Sequence, residues 1–161
     1  WADAGRDAMG WIEANNTFKM CRVPKEAFEP LYSTWYQFHQ QITDKEIEAE
    51  CREAVKLGMR TIIVDDGWQT DDNNRGYAYC GDWKVAPKKM GDMAELVENI
   101  HNIGMKIMLW YSVPFMGIYC KKYDEFKDML LDKSGDEKTF FALDPRYKRY
   151  VNTLWIFTLQ R

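Results

Sequence analysis

Thr61-Ile62-Ile63-Val64-Asp65-Asp66-Gly67-Trp68 is the stretch on which the fold turns. Its first four residues are all β-branched. Such an unbroken run suits a strand buried on both faces, as in a parallel sheet, and Asp-Asp-Gly-Trp ends it. Upstream, Thr43-Asp44-Lys45-Glu46 has the form of a capping box. Ile47, Cys51, Ala54 and Val55 then recur at helical spacing until Gly58 stops the helix. Before that, residues 31–38 are aromatic and β-prone and read as a first strand. Downstream, a polar loop over 69–91 leads to a second capping pair, Asp92 and Glu95. Met93, Leu96, Val97, Ile100 and Ile103 form an apolar stripe that Gly104 closes, and residues 105–111 read as a third strand. A long loop with a short helix over 123–131 follows. Asp144-Pro145 then offers a cap and a first helical position, with Tyr147, Tyr150, Val151 and Leu154 on the apolar face of that helix. Residues 1–30 show no clear periodicity and read as an irregular lead-in from an upstream region.

The order β-α-β-α-β-loop-α implies parallel strands joined by right-handed crossovers. A doubly wound sheet and a (β/α)8 barrel both fit it. No Gly-x-Gly-x-x-Gly follows the first strand, and the long loops after the second and third strands favour the barrel, whose sites are built from such loops. A barrel needs about 250 residues, whereas this chain has 161. The expected fold class is therefore α/β: a partial (β/α)8 TIM barrel comprising the first three βα units. Residues 31–161 would be a truncated N-terminal portion of a catalytic domain. The start at Trp1 rather than Met also reads as a processed or truncated end.

The chain is 46% hydrophobic and 29% charged, an ordinary globular composition that argues against disorder. A net charge of −3 gives no reason to expect a nucleic acid or an anionic membrane as partner, and no apolar run approaches the roughly 20 residues of a membrane span. The cysteines stand at 21, 51, 80 and 120, without any Cys-x-x-Cys, and the two histidines, His39 and His101, are 62 residues apart. Neither a metal centre nor a cofactor is expected. The thiols read as free, in a reducing, cytoplasmic compartment, with a disulfide as the alternative.

Asp65 and Asp66 lie at the C-terminal end of a buried strand, where Gly67 allows the chain to break so that both carboxylates face one site. The alternative is that one caps the turn and the other is solvated. Ionised carboxylates are pure acceptors, so an adjacent pair can hold several hydroxyls of one sugar. Aromatic residues make up 15% of the chain; they fit either a packed core or a site for a partly apolar ligand such as a sugar. Trp35, Trp68 and Trp110 can stand at the same rim as the acids or serve as core packing. Ser33, Ser112 and Ser134 lack a glycine-rich elbow, and no phosphate-cradling loop is present.

The ordered series Tyr32-Ser33-Thr34-Trp35-Tyr36, Gly58-Met59-Arg60, Asp65-Asp66-Gly67-Trp68, Gly81-Asp82-Trp83 and Ile100-His101-Asn102-Ile103-Gly104-Met105-Lys106, with Leu109-Trp110, resembles the barrel of the α-galactosidases of glycoside hydrolase family 36, the melibiase family. The resemblance implies a (β/α)8 barrel between an N-terminal β-sandwich and a small C-terminal β-domain. It implies retaining hydrolysis of terminal α-galactosides by two aspartates. The family's nucleophile follows the fourth strand in a Lys-Trp-Asp-type motif, and its acid/base follows the sixth. Both are expected beyond Arg161, since no Lys-Trp-Asp occurs here. The resemblance assigns Asp65 and Asp66 to galactose hydroxyls, with Trp68 beside them and Trp35 and Trp110 as walls of the same subsite. Where the family commonly has Phe-Glu-Pro-Glu after the third-strand Trp, this chain has Tyr111-Ser112-Val113-Pro114. A related galactosyltransferase or α-N-acetylgalactosaminidase, or a non-catalytic carbohydrate-binding protein, are the competing readings. An open three-stranded arc with unpaired edges is expected to aggregate or form a homo-oligomer.

Overall fold

The three strands pair in the order β1-β2-β3, all parallel, in the computed structural model, which describes residues 1–15, 22–131 and 138–148. β2 (Thr61–Val64) lies in the middle. Tyr32 of β1 (Tyr32–Ser33) faces Ile62, and Leu109 of β3 (Lys106–Leu109) faces Val64. The central strand buries Ile62 and Val64 completely, while Thr61 and Ile63 on its other face are only partly buried, so one face rather than both is fully covered.

The intervening helices form where local signals place them. Helix α3 (Asp44–Lys56) begins with a complete capping box: Thr43 Oγ1 accepts the Glu46 N–H, and the Glu46 carboxylate accepts the Thr43 N–H at 2.8 Å. Its apolar face buries Ile47, Cys51 and Ala54. Helix α5 (Met93–Ile103) is capped by Asp92, which accepts the N–H groups of Ala94 and Glu95, and ends at Gly104 in the left-handed region. Both helices cover the sheet, with Ile42, Met90, Leu96, Ile100 and Met105 completing the main core.

Several expectations are corrected. The lead-in is not wholly irregular: Ala2–Asn15 form a helix, α1, stitched by Arg6 to Asp3 and Asn15 to Trp11, with no residue buried. Its alanines favour helix while Gly5 and Gly10 blur the periodicity. The first strand is only two residues long. The Thr34 N–H makes a last bond to the Ile63 carbonyl, and the Thr34 carbonyl then accepts the Phe38 N–H, so Trp35–Phe38 coil into a helical turn, α2. The polar loop contains a further turn, α4 (Pro87–Met90), opened by Pro87 at its first position. The loop after β3 carries a two-stranded antiparallel sheet, β4 (Phe115–Gly117) with β5 (Phe140–Ala142), which packs over its own small core of Met116, Cys120, Phe126, Leu130 and Leu143. The expected short helix lies between them as α6 (Tyr123–Phe126) and a 3-10 turn over Lys127–Met129. Asp144 accepts the Arg146 N–H at 2.9 Å in a turn. The helix expected from Pro145 onward does not begin there, since Pro145 and Arg146 form a turn and Tyr147 is not helical, and its further residues Tyr150, Val151 and Leu154 lie outside the described residues. None of the described helices is long and apolar enough to cross a membrane.

Candidate functional site

Because the strands are parallel, everything that directly follows them stands at one end of the sheet. Asp65 and Asp66 follow β2, Trp110 follows β3, and Trp35 lies two residues past β1. The strand ends are tied together directly. The Asp65 N–H donates to Thr34 Oγ1 at 3.0 Å, and the Trp110 N–H to the Val64 carbonyl at 2.9 Å.

The two carboxylates have different surroundings. Asp65 is half-buried and accepts the Asp66 N–H at 2.8 Å. Asp66 is buried, and each of its oxygens takes one amide: Gln40 Nε2 at 2.8 Å on Oδ2 and Gln69 Nε2 at 2.6 Å on Oδ1. Burial pushes the Asp66 carboxyl above the usual carboxylate range. The amides of Gln69 and Gln40 oppose that shift, and the neighbouring charge of Asp65 adds to it. The Gly67 N–H adds a backbone bond to the same carboxyl.

An aromatic network backs the acids. Trp68 is 2% exposed, stacks on Trp83 with ring centres 6.4 Å apart, and donates its indole N–H to the Trp110 carbonyl at 2.8 Å. It therefore lies beneath the rim and holds the Trp110 backbone. Trp110 itself is half-buried, stacked on Tyr77 and edge-on to Trp83. Trp35 is also half-buried and meets His39 edge-on at 5.0 Å. His39 has φ +51, uncommon for a residue with a side chain. Within Gly81-Asp82-Trp83, Asp82 accepts the N–H groups of Lys121 and Lys122 and so fastens this loop to the one after β3.

Sequence reasoning missed Gln40, Gln69 and Lys89. The Lys89 ammonium is partly buried and donates to the carbonyls of Gln40 (2.8 Å) and Asp72 (3.1 Å) and to Asn73 Oδ1 (2.8 Å). Burial holds its pKa below the ordinary lysine value, against the charges of Asp71, Asp72 and Asp66. The only signal for these residues in the sequence is their polarity beside apolar runs, which by itself fits a solvated loop. Among the described residues no cluster of His, Cys, Asp and Glu could hold a metal ion. Cys51, Cys80 and Cys120 are free and buried.

Residues 22–142 match the family model described as Melibiase. Alpha-galactosidase Mel36A of Lactobacillus acidophilus is 28% identical over 115 residues, 69% of this chain and 15% of that protein. The bifunctional alpha-galactosidase/sucrose kinase AgaSK of Mediterraneibacter gnavus is 34% identical over 84 residues, 50% of this chain and 9% of its own length. Among solved structures, the galactosidase domain of AgaSK superposes with a TM-score of 0.71 at 24% identity, covering 84% of this chain and 20% of that one. A variant of the GH36 alpha-galactosidase AgaA from Geobacillus stearothermophilus, in complex with stachyose, gives 0.73 at 18% identity, covering 87% and 20%. The chain thus spans about a seventh of Mel36A and a fifth of these two structures.

Proposed function

Because the chain belongs to the melibiase family, we propose that it is part of a retaining α-galactosidase and supplies one side of the galactose subsite. The three parallel strands are then the first three of a (β/α)8 barrel. The observation that carries this reading is the Asp65–Asp66 pair at the C-terminal end of β2, with Trp35 and Trp110 following the strands on either side. Carboxylates accept from the sugar hydroxyls, and indole faces cover the apolar C–H face of the ring.

These acids bind; they do not cleave. Retaining hydrolysis uses a nucleophile and an acid/base about 5–5.5 Å apart on either side of the glycosidic bond. Asp65 and Asp66 are neighbours in sequence, and Asp66 is enclosed by two amides. The cleaving pair belongs to later strands of the barrel. AgaA variants have been seen with raffinose and with stachyose bound, which supports terminal α-galactosides as the substrate class.

The test is a galactose titration of the protein by calorimetry, together with turnover of p-nitrophenyl α-D-galactopyranoside by a chain that includes the later strands. Each charge-assisted bond contributes about 1.5–3 kcal/mol, so Asp65→Ala should weaken galactose about 10- to 150-fold. Unchanged affinity in Asp65→Ala and Asp66→Ala would refute the assignment.

A further inference from the structure

Gln40 occupies an unusual place for a residue that reaches no open surface. It is 1% exposed and lies in the segment after β1, yet its amide is spent on the segment after β2. Its Nε2 donates to Asp66 Oδ2 at 2.8 Å and to the Gly76 carbonyl at 3.1 Å, and its Oε1 accepts the Arg75 N–H at 2.8 Å. This pattern fixes which way the amide points. Two acceptors face the nitrogen and one donor faces the oxygen, so turning the amide over would put oxygen against carboxylate and N–H against N–H. The Gln40 backbone is fixed as well, since its carbonyl accepts the Lys89 ammonium, which also grips Asp72 and Asn73.

We propose that Gln40 is the positioning residue of the acidic pair: without touching the sugar, it holds the Asp66 carboxylate charged and aimed, and Lys89 holds Gln40. The proposal rests on the reading of Asp66 as a galactose ligand. The physical reason is that a neutral donor bonds the charged form of a buried carboxyl better than the neutral form. A proton on Asp66 would occupy one of the acceptor sites of the carboxylate. The titratable groups facing Asp66 are Asp65 beside it, Tyr77 and Cys80 from the loop after β2, and Lys89 from α4. Lys89 is the one cation of that set, and it comes no closer than the Gln40 and Gly67 carbonyls. The side-chain donors to the Asp66 oxygens are the two glutamine amides, and the Gly67 N–H adds a backbone bond that also favours the charged form.

The experiment follows the Asp66 side-chain carboxyl by carbon-13 NMR across pH, beside galactose affinity at each pH. Gln40→Met keeps the length and removes the donor. It should raise the Asp66 midpoint by about one to two pH units and move the acidic limb of the galactose-binding profile by the same amount. Gln40→Glu, isosteric but with an acceptor for the donor, should move both further. A folded Gln40→Met protein with an unmoved Asp66 midpoint would overturn the proposal, as a purely structural role predicts no change in titration. If Gln40→Met does not fold, the unaltered protein decides: the side-chain amide resonances of Gln40 must titrate with Asp66, and silence there overturns it equally. If the unaltered protein binds no galactose, the functional reading fails, while the carboxyl titration still decides whether Gln40 holds Asp66.

Discussion

Gly67 is where the two segments at the heart of the site come closest, and a single methyl there tests the arrangement. Its φ is +122°, and a Cβ built on it would lie 2.7 Å from the Gln40 carbonyl oxygen and 2.8 Å from the Gln40 Cα. Gly67→Ala therefore carries two costs. Holding a side chain at such a dihedral costs about 1–3 kcal/mol. Overlap with backbone that cannot swing aside costs about 1–3 kcal/mol more. Gly58 supplies the control: its φ is +87°, and nothing lies within 4 Å of its would-be Cβ, so Gly58→Ala bears only the conformational cost of about 1–2 kcal/mol. Urea unfolding of the two variants side by side should show Gly67→Ala the less stable by about 2 kcal/mol. For a chain of this size that is about 4–8 °C in Tm. Gly67→Ala should also weaken galactose, because pushing Gln40 away strips Asp66 of an amide. Equal destabilisation by the two substitutions would refute the close approach of Gly67 and Gln40, and with it the reasoning that couples them.

Burial holds Asp66 above its ordinary value of 3.8, so between that value and the folded one the folded protein carries the extra proton. Through that window the stability owed to this group falls as pH rises while galactose affinity rises; unfolding of the unaltered protein against Asp66→Asn across pH checks the first trend and calorimetry the second. Thr43→Ala removes the cap of α3 and should cost about 1 kcal/mol in urea unfolding. Burial pushes the thiols of Cys51 and Cys120 up to about 11 and that of Cys80 to about 12, so all three should ignore Ellman's reagent at pH 8 in the native protein and react once guanidinium unfolds it. Gln40→Met and Lys89→Met, acting through one contact chain, should together cost less galactose affinity than the sum of their separate effects.

The parts of this fold legible in the sequence are those whose cause is local. Thr43 and Glu46 satisfy each other across three residues, Gly104 ends α5 by its own backbone freedom, and Ile62 and Val64 announce a buried strand by their shape. Aromatic propensity alone misread residues 35–38 as strand, because the bonds that end β1 come from Ile63 on a neighbouring strand and from Phe38 one turn on. The hairpin of β4 and β5 was illegible for the same reason: Met116 pairs with Phe141 across a long excursion, and three-residue strands carry too little pattern to betray it. The acidic pair and the tryptophans stood out by residue type and order. Gln40 and Lys89 did not, since an amide and an ammonium take their meaning from partners folded onto them.

The span of those partnerships bears on the order in which the molecule assembles. Asp65 to Thr34, Gln40 to Asp66, Trp68 to Trp110 and Lys89 to Gln40 join residues 31, 26, 42 and 49 positions apart. The capping box closes over three. Closing longer loops costs more entropy and depends on the strands already being side by side. On a ribosome, helix α3 can form soon after it clears the exit tunnel, but Trp68 has no acceptor until Trp110 has emerged. The end of the sheet that carries the acids is thus completed well after α3, and a nascent chain halted before Trp110 would have its helix α3 and lack the strand-end contacts that set the proposed sugar site.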